Sequence, residues 1–428
     1  LDDGGWWLIL HQPIETQPIM HRLFLLLFCC PLLAVSQTID SQLAKQAEAL
    51  MSDQAQSEAA QLLGAVGGIP APSGQEQQRA EYVAATMQAM GLKDVAVTDI
   101  NNTVGVIPGK SDSVLVFIST LDDLAGVALL QEKSPKPVVK GDRVIGPGTN
   151  TSSTTVAMLK AAEQLVSNNI KPDYTLVFAA VAQEETGLKG MKEVYDLYKS
   201  RALGFVDVLG DGERISYGAI GIHWWKVKAS GEPGHTLRGG LPNLNRGMGR
   251  AIDEIFKLPQ VEQYAEDYTR LNVGMVHSGT VYNHKPDSGY FTLDIRSLNA
   301  TAIAELEAAI KSTLEQVGAE TETTFEMEPF QLTPGGQIPG ALHSPLVTTS
   351  QVVSRWLGFE PAMSNRGSSN MNVAIAGGTS AIGLGGNRGG QRGFADEWAD
   401  IPAMMRTAQH VYLLAAILSS QEAWVSQK

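Results

Sequence analysis

Two continuous apolar runs mark the first half of the chain. Val114 to Ser119 reads VLVFIS, and Tyr174 to Val181 reads YTLVFAAV. Neither alternates with polar residues, which predicts strands buried on both faces. Between them, apolar residues at helical spacing predict a helix over Thr154 to Leu165. Strand, helix, strand of this kind predicts a mostly parallel sheet covered by helices. Shorter strand candidates lie at Val95 to Val97, Thr103 to Val106 and Ala381 to Leu384. The segment Ala403 to Ile417, entered just after Pro402, predicts a closing helix. Upstream, an alanine- and glutamine-rich stretch reads as helix to about Leu63. Ser73 and Glu76 have the spacing of a capping box for a helix through Met90, stopped by Gly91.

The middle of the chain has a different rhythm. Trp224 to Ala229, Asn272 to Val281 and Tyr290 to Ile295 alternate loosely. Helical patterns at Gly247 to Ile255 and Thr301 to Val317 interleave with them. Strand-helix-strand-strand-helix-strand describes a small α+β sandwich. The predicted architecture is an α/β domain, residues 37–221 and 334–428, interrupted by an α+β domain at 222–333.

The N-terminus is read apart from the fold. Met20, His21 and Arg22 precede the apolar run Leu23 to Val35, which ends in a small-x-small site at Ala34-Val35-Ser36. This is the layout of a signal peptide over 20–36, and its apolar core is shorter than the roughly 20 residues of a membrane span. It predicts an exported, periplasmic or secreted protein with no transmembrane segment in the mature chain. Residues 1–19, which carry no methionine, read as translated upstream sequence. Both cysteines, Cys29 and Cys30, fall in the excluded segment. The mature chain then has no disulfide, thiol nucleophile or thiolate metal ligand. The formal net charge of -13 argues against nucleic-acid binding, which needs a basic surface.

Chemistry-bearing residues sit at the ends of the predicted strands. Thr120-Leu121-Asp122 follows the first apolar run, and Glu184-Glu185-Thr186-Gly187 follows the second. Gly146-Pro147-Gly148-Thr149-Asn150-Thr151 opens the helix between them. Asp207 lies fourteen residues before Gly221, with Asp211 as an alternative. Gly393-Phe394-Ala395-Asp396-Glu397-Trp398 closes the series. In this order they resemble the landmarks of the M20 family of metallopeptidases and amidohydrolases, over nearly the whole mature chain. The resemblance implies a zinc-peptidase-like α/β catalytic domain with an inserted α+β lid and dimerisation domain. It implies two zinc or cobalt ions, a glutamate base, and a peptide or N-acyl amino acid as ligand. It also implies a homodimer formed through the lid.

The family pattern is only partly kept. By resemblance, Glu184 is the general base, and Glu185 and Asp207 are metal ligands. Asp122 matches the aspartate that orients a histidine ligand, but Thr120 stands where that histidine belongs. Thr151 stands in place of the bridging aspartate, and Gly393 in place of the last histidine. Neither threonine nor glycine replaces imidazole or carboxylate as a zinc ligand. No cofactor is therefore firmly expected, although Glu185 and Asp207 together suit one weakly held hard cation. His235 matches a lid histidine that stabilises the oxyanion. Asn283, beside His284, matches a lid asparagine on the substrate, and Arg296, in Asp294-Ile295-Arg296, matches the family's D-x-R strand. Asn370, in Gly367-Ser368-Ser369-Asn370, replaces an aspartate of a substrate loop. The glycine-rich LGGNRGGQRG that follows permits close backbone approach but fits no phosphate-binding fingerprint. Three readings stay open: an M20-like binder without standard catalysis, an active peptidase or amidase with a rebuilt single-metal site, and a non-catalytic partner protein.

Overall fold

A computed structural model describes residues 39–134, 136–239 and 242–425. The readings of 1–19 and 20–36, with Cys29 and Cys30, lie outside the described residues. In chain order the strands that organise the fold are β1 (Lys93–Val97), β2 (Thr103–Ile107), β3 (Ser111–Thr120), β4 (Tyr174–Val181), β5 (Ala202–Val208) and β6 (Arg214–Ser216). They continue with β7 (Gly221–Ser230), β8 (Arg270–Ser278), β9 (Ser288–Ser297), β10 (Thr324–Thr333), β11 (Ala362–Ser364) and β12 (Ala381–Gly385).

The first sheet has the order β1-β2-β4-β3-β5-β12-β6-β11. It is mixed: β3 runs parallel to β4 and β5, and β12 parallel to β5, while β1-β2, β2-β4 and β12-β6 are antiparallel. The continuous apolar runs of β3 and β4 have the predicted cause, because both faces are covered. Leu115, Phe117, Leu176 and Phe178 point to one side, where Thr149–Ser167, Ile401–Leu418 and Asp53–Gly67 pack. Phe117 stacks on Phe178 with ring centroids 5.4 Å apart. Val114, Val116, Ile118, Val177 and Ala179 point to the other side, with Met191, Val194 and Met371.

The second sheet, β8-β9-β7-β10, is antiparallel throughout and arises from the segment between Gly221 and Thr333. Its inner face, Val227, Ala229, Phe291, Leu293 and Ile295, forms a separate core with helices Leu244–Phe256 and Ala300–Thr321. The other face carries half-buried or exposed polar and aromatic side chains, which accounts for the loose alternation of these strands in sequence. The sheet bears a two-stranded ribbon, Gly234–His235 with His284–Lys285.

Local boundaries moved in two places. The N-terminal helical stretch divides into Ser41–Glu48, a 3-10 turn at Ala49–Met51, and Asp53–Gly67, because Ser52 leaves the helix and caps the next one by accepting Ala55 N–H. The middle helix of the first sheet starts at Thr149, a turn earlier than its apolar stripe predicts, since its first turn buries threonine, asparagine and serine.

Arg79 ties the sheet to the loop that follows β3. It is 1% exposed, donates to Ile69 O and to Leu121 O at 2.8 Å, and pairs with Asp123 at 2.5 Å. Removing one member of a buried pair leaves the other charge without compensation. We expect Arg79→Met to lower unfolding free energy in urea by about 3–5 kcal/mol. A loss below about 1 kcal/mol, the range of exposed pairs, would show that Asp123 finds other compensation.

Candidate active site

Parallel neighbours β3, β4 and β5 bring three sequence segments to one edge of the sheet. Thr120 lies opposite Val181, and Ile118 opposite Asp207. The carboxyl ends of parallel strands are where open α/β sheets place ligand groups. After β4 the chain turns sharply, with φ of +54 at Gln183 and +58 at Leu188. Three buried side chains hold the N–H groups of this turn. Asn102 Oδ1 accepts from Ala182 N at 2.8 Å and Glu76 Oε1 from Gln183 N at 3.0 Å. The Asp122 carboxylate accepts from Glu184 N at 2.9 Å and Glu185 N at 3.2 Å, and from Ser73 Oγ at 2.5 Å.

These contacts correct one expectation. Ser73 and Glu76 do not form a capping box: helix Gln77–Ala89 starts with no side-chain cap, and both residues face the Glu184 turn instead. Asp122 positions the backbone that carries Glu184 and Glu185.

The remaining ligand positions have other engagements. Thr120 Oγ1 accepts from Asn370 Nδ2 at 3.2 Å. Thr151 is buried in the first turn of helix Thr149–Ser167. Gly393 has φ +92, a conformation that disfavours any side chain, and its N–H donates to Glu397 Oε2 at 3.0 Å. The other Glu397 oxygen accepts from Asn150 N at 2.8 Å, so this carboxylate sits at the N-terminus of helix Thr149–Ser167. Asp207 is fully buried and accepts from Met371 N at 3.2 Å. Asp211, the alternative, faces elsewhere: it pairs with Arg406 at 3.1 Å and accepts from Asn387 N at 3.2 Å.

Two arginines that the sequence reading passed over enter the cluster. Arg392 forms an ion pair with Glu185. Arg388 is half-buried, and Glu184, Asp207 and Glu397 all act electrostatically on its charge. Burial pushes its pKa below the usual arginine value, as does the neighbouring Arg392. The signal for both was the pair of arginines spaced by glycines in NRGGQRG.

Crowding of carboxyl groups sets the protonation pattern. Burial, then the charges of Glu185, Asp122 and Asp207, push Glu184 up to about 8, with Arg392 opposing. Burial raises Asp122 to about 6 against the hydrogen bonds from Ser73, Glu184 N and Glu185 N. Burial likewise raises Asp207 to about 6. At neutral pH this crowding and burial favour the protonated form of Glu184.

The lid residues gather on the ribbon. The Asn283 side-chain amide lies 3.1 Å from His235 Nε2 and 3.0 Å from His284 Nδ1. Leu237 N donates to His235 Nδ1 at 3.1 Å. His235 and Asn283 are exposed, and none of their described contacts reaches the acidic cluster. Arg296 forms a forked pair with Asp294 of its own strand, at 2.9 and 3.0 Å.

A pair of family metal ions does not fit these donors. Among the described residues no group of three or more histidine, cysteine, aspartate or glutamate side chains is arranged to hold a metal ion. One surviving ligand position is paired with an arginine, and Gly393 and the two threonines offer no imidazole or carboxylate.

The fold and the strand-end acidic turn define a hydrolase-type α/β frame with a second sheet inserted between β6 and β11. The family model described as peptidase family M20/M25/M40 matches residues 128–417, and the chain belongs to that family. It is similar to succinyl-diaminopimelate desuccinylase of Corynebacterium glutamicum, 26% identical over 260 residues, covering 59% of this chain and 69% of that protein. Among solved structures it resembles a tripeptidase from Staphylococcus aureus, with TM-score 0.71 and 20% identity over 86% of this chain and 99% of that one. It also resembles aminopeptidase PepT from Bacillus cereus, with TM-score 0.70 and 18% identity over 84% and 98%. A third is the Bacillus subtilis YXEP protein, a dinuclear metal-binding peptidase, with TM-score 0.64 and 15% identity over 86% and 99%.

The raised pKa values carry a stability consequence. The folded chain holds protons on Asp122, Asp207 and Glu184 at pH values where the unfolded chain has released them. This contribution is full below the ordinary carboxyl values of 3.8 and 4.5 and is lost as pH rises through about 6 and then about 8. Chelator-treated protein should show a melting temperature that falls between mildly acidic and alkaline pH. Glu184→Gln should remove the later part of the fall. An unchanged slope in that variant would place the alkaline titration on another group.

Proposed function

We propose that this chain is an M20-family protein that binds a peptide or N-acyl amino acid and lacks the family's two-metal hydrolysis. The observation that carries the reading is the occupation of the ligand positions by other partners: Glu185 by Arg392, Thr120 by Asn370, and Gly393 by a left-handed turn bonded to Glu397. Hydrolysis by two metals needs a bridging carboxylate and a water acidified by the ions. Thr151 supplies no carboxylate at the bridging position. A ligand carboxylate or carbonyl suits the site, because Arg388 adds a guanidinium charge within electrostatic range of Glu184, Asp207 and Glu397. The lid groups Asn283 and His235 are exposed and available to close on the same ligand. The signal-peptide layout of 20–36 supports a periplasmic or secreted setting.

Purified protein should contain far less than stoichiometric zinc by elemental analysis. It should not hydrolyse N-acyl amino acids or tripeptides when Zn²⁺, Co²⁺ or Mn²⁺ is added. About two tightly held zinc ions per chain, or metal-dependent turnover lost in Glu184→Gln, would refute the reading.

A second reading, pairing of two copies through the lid, is favoured by apolar side chains on the sheet's edge strands. On β8, Met275 and Val276 are 50% and 55% exposed, and on β10 Phe330 is 79% exposed. Light scattering should give a dimer that Phe330→Glu weakens at least tenfold. A wild-type monomer at micromolar concentration would rule this pairing out.

A further inference from the structure

The loop from Gly386 to Gly393 supplies the positive charge of the former metal site, and its backbone is shaped to deliver it. Gly389 has φ +131, and a Cβ there would lie 2.1 Å from Trp398 O, so a side chain would break its pairing with Ala399. Asp211 anchors the start of the loop through Asn387 N, and Glu397 anchors its end through Gly393 N. Between these anchors Arg392 reaches Glu185, and Arg388 sits within electrostatic reach of Glu184, Asp207 and Glu397.

We propose that Arg388 and Arg392 are built-in counter-cations that take the charge-balancing place of the family's two metal ions, and that the Gly386–Gly393 loop is the device that inserts them. The inference rests on the metal-free reading above. Arg392 is ion-paired with Glu185, and Arg388, four residues earlier on the same loop, lies within electrostatic range of Asp207. A guanidinium is permanently charged and forms directional hydrogen bonds to carboxylates. It neither expands its coordination to take up water nor lowers that water's pKa, as a metal ion does. The exchange keeps the electrostatics that let carboxyl groups crowd at the strand ends, and it removes the source of hydroxide.

The test compares wild type with Arg388→Met/Arg392→Met and with Arg388→Lys/Arg392→Lys, all chelator-treated and then titrated with MnCl₂. The methionine pair should melt about 2–4 °C below wild type or lower, and millimolar Mn²⁺ should recover most of that loss. Wild type should not respond to Mn²⁺, and the lysine pair should keep wild-type stability because it keeps the charge. Calorimetry should show Mn²⁺ binding at least tenfold tighter to the methionine pair than to wild type. A loss that Mn²⁺ leaves unrepaired and that the lysine pair shares would mean that the arginines only pack the loop. An equal Mn²⁺ response in wild type would also overturn the proposal. Stoichiometric zinc in untreated wild type would overturn the metal-free reading itself, so the two failures are distinguishable.

Discussion

Carboxyl groups brought together at the carboxyl ends of parallel strands repel one another and lose hydration at the same time. Asp122, Glu184, Glu185 and Asp207 share this constraint, and the rest of the site is arranged around it. Asp122 is stabilised by one hydroxyl and two backbone N–H groups, and Asp207 by the N–H of Met371. Glu185 has a guanidinium partner. Glu184 has no comparable partner and keeps its proton to about pH 8. In a low-dielectric pocket a carboxyl group must be hydrogen-bonded, paired or neutral, and all three solutions occur here within one cluster.

The M20 frame and the departures from it coexist because they depend on different parts of the chain. The frame depends on apolar strands buried on both faces of the first sheet and on a separate core under the second. Polar side chains at the strand ends can therefore differ without disturbing the packing, provided that each finds a partner. Asn370 takes up Thr120, Arg392 takes up Glu185, and Glu397 takes up Gly393 together with the N-terminus of helix Thr149–Ser167. Asp122 carries the backbone of the Glu184 turn through two N–H groups.

Much of the fold was legible along the chain. The runs at β3 and β4 announce double burial, and the alternation of β7 and β9 announces a sheet with one open face. The acidic turn after β4 was legible by its position at a strand end, and Asp207 by its spacing. The capping-box reading of Ser73 and Glu76 failed because local spacing cannot see that a buried carboxylate and an unsatisfied turn lie a few ångströms away in the fold. The arginines of the glycine-rich loop escaped for the same reason. A glycine-rich segment reads as backbone freedom, and the direction in which that freedom points a side chain belongs to the packing around it.

By itself the sequence determined what short-range physics can determine: which segments are strands or helices, which faces are apolar, and which acidic side chains stand at the strand ends. Only the tertiary structure decided what those side chains meet. The choice between Asp207 and Asp211 depended on which of them Arg406 reaches. The pairing of Glu185 with Arg392 spans 207 residues of chain. The charge on each carboxyl group depends on distance and burial in three dimensions, and neither is encoded in the order of neighbours along the chain.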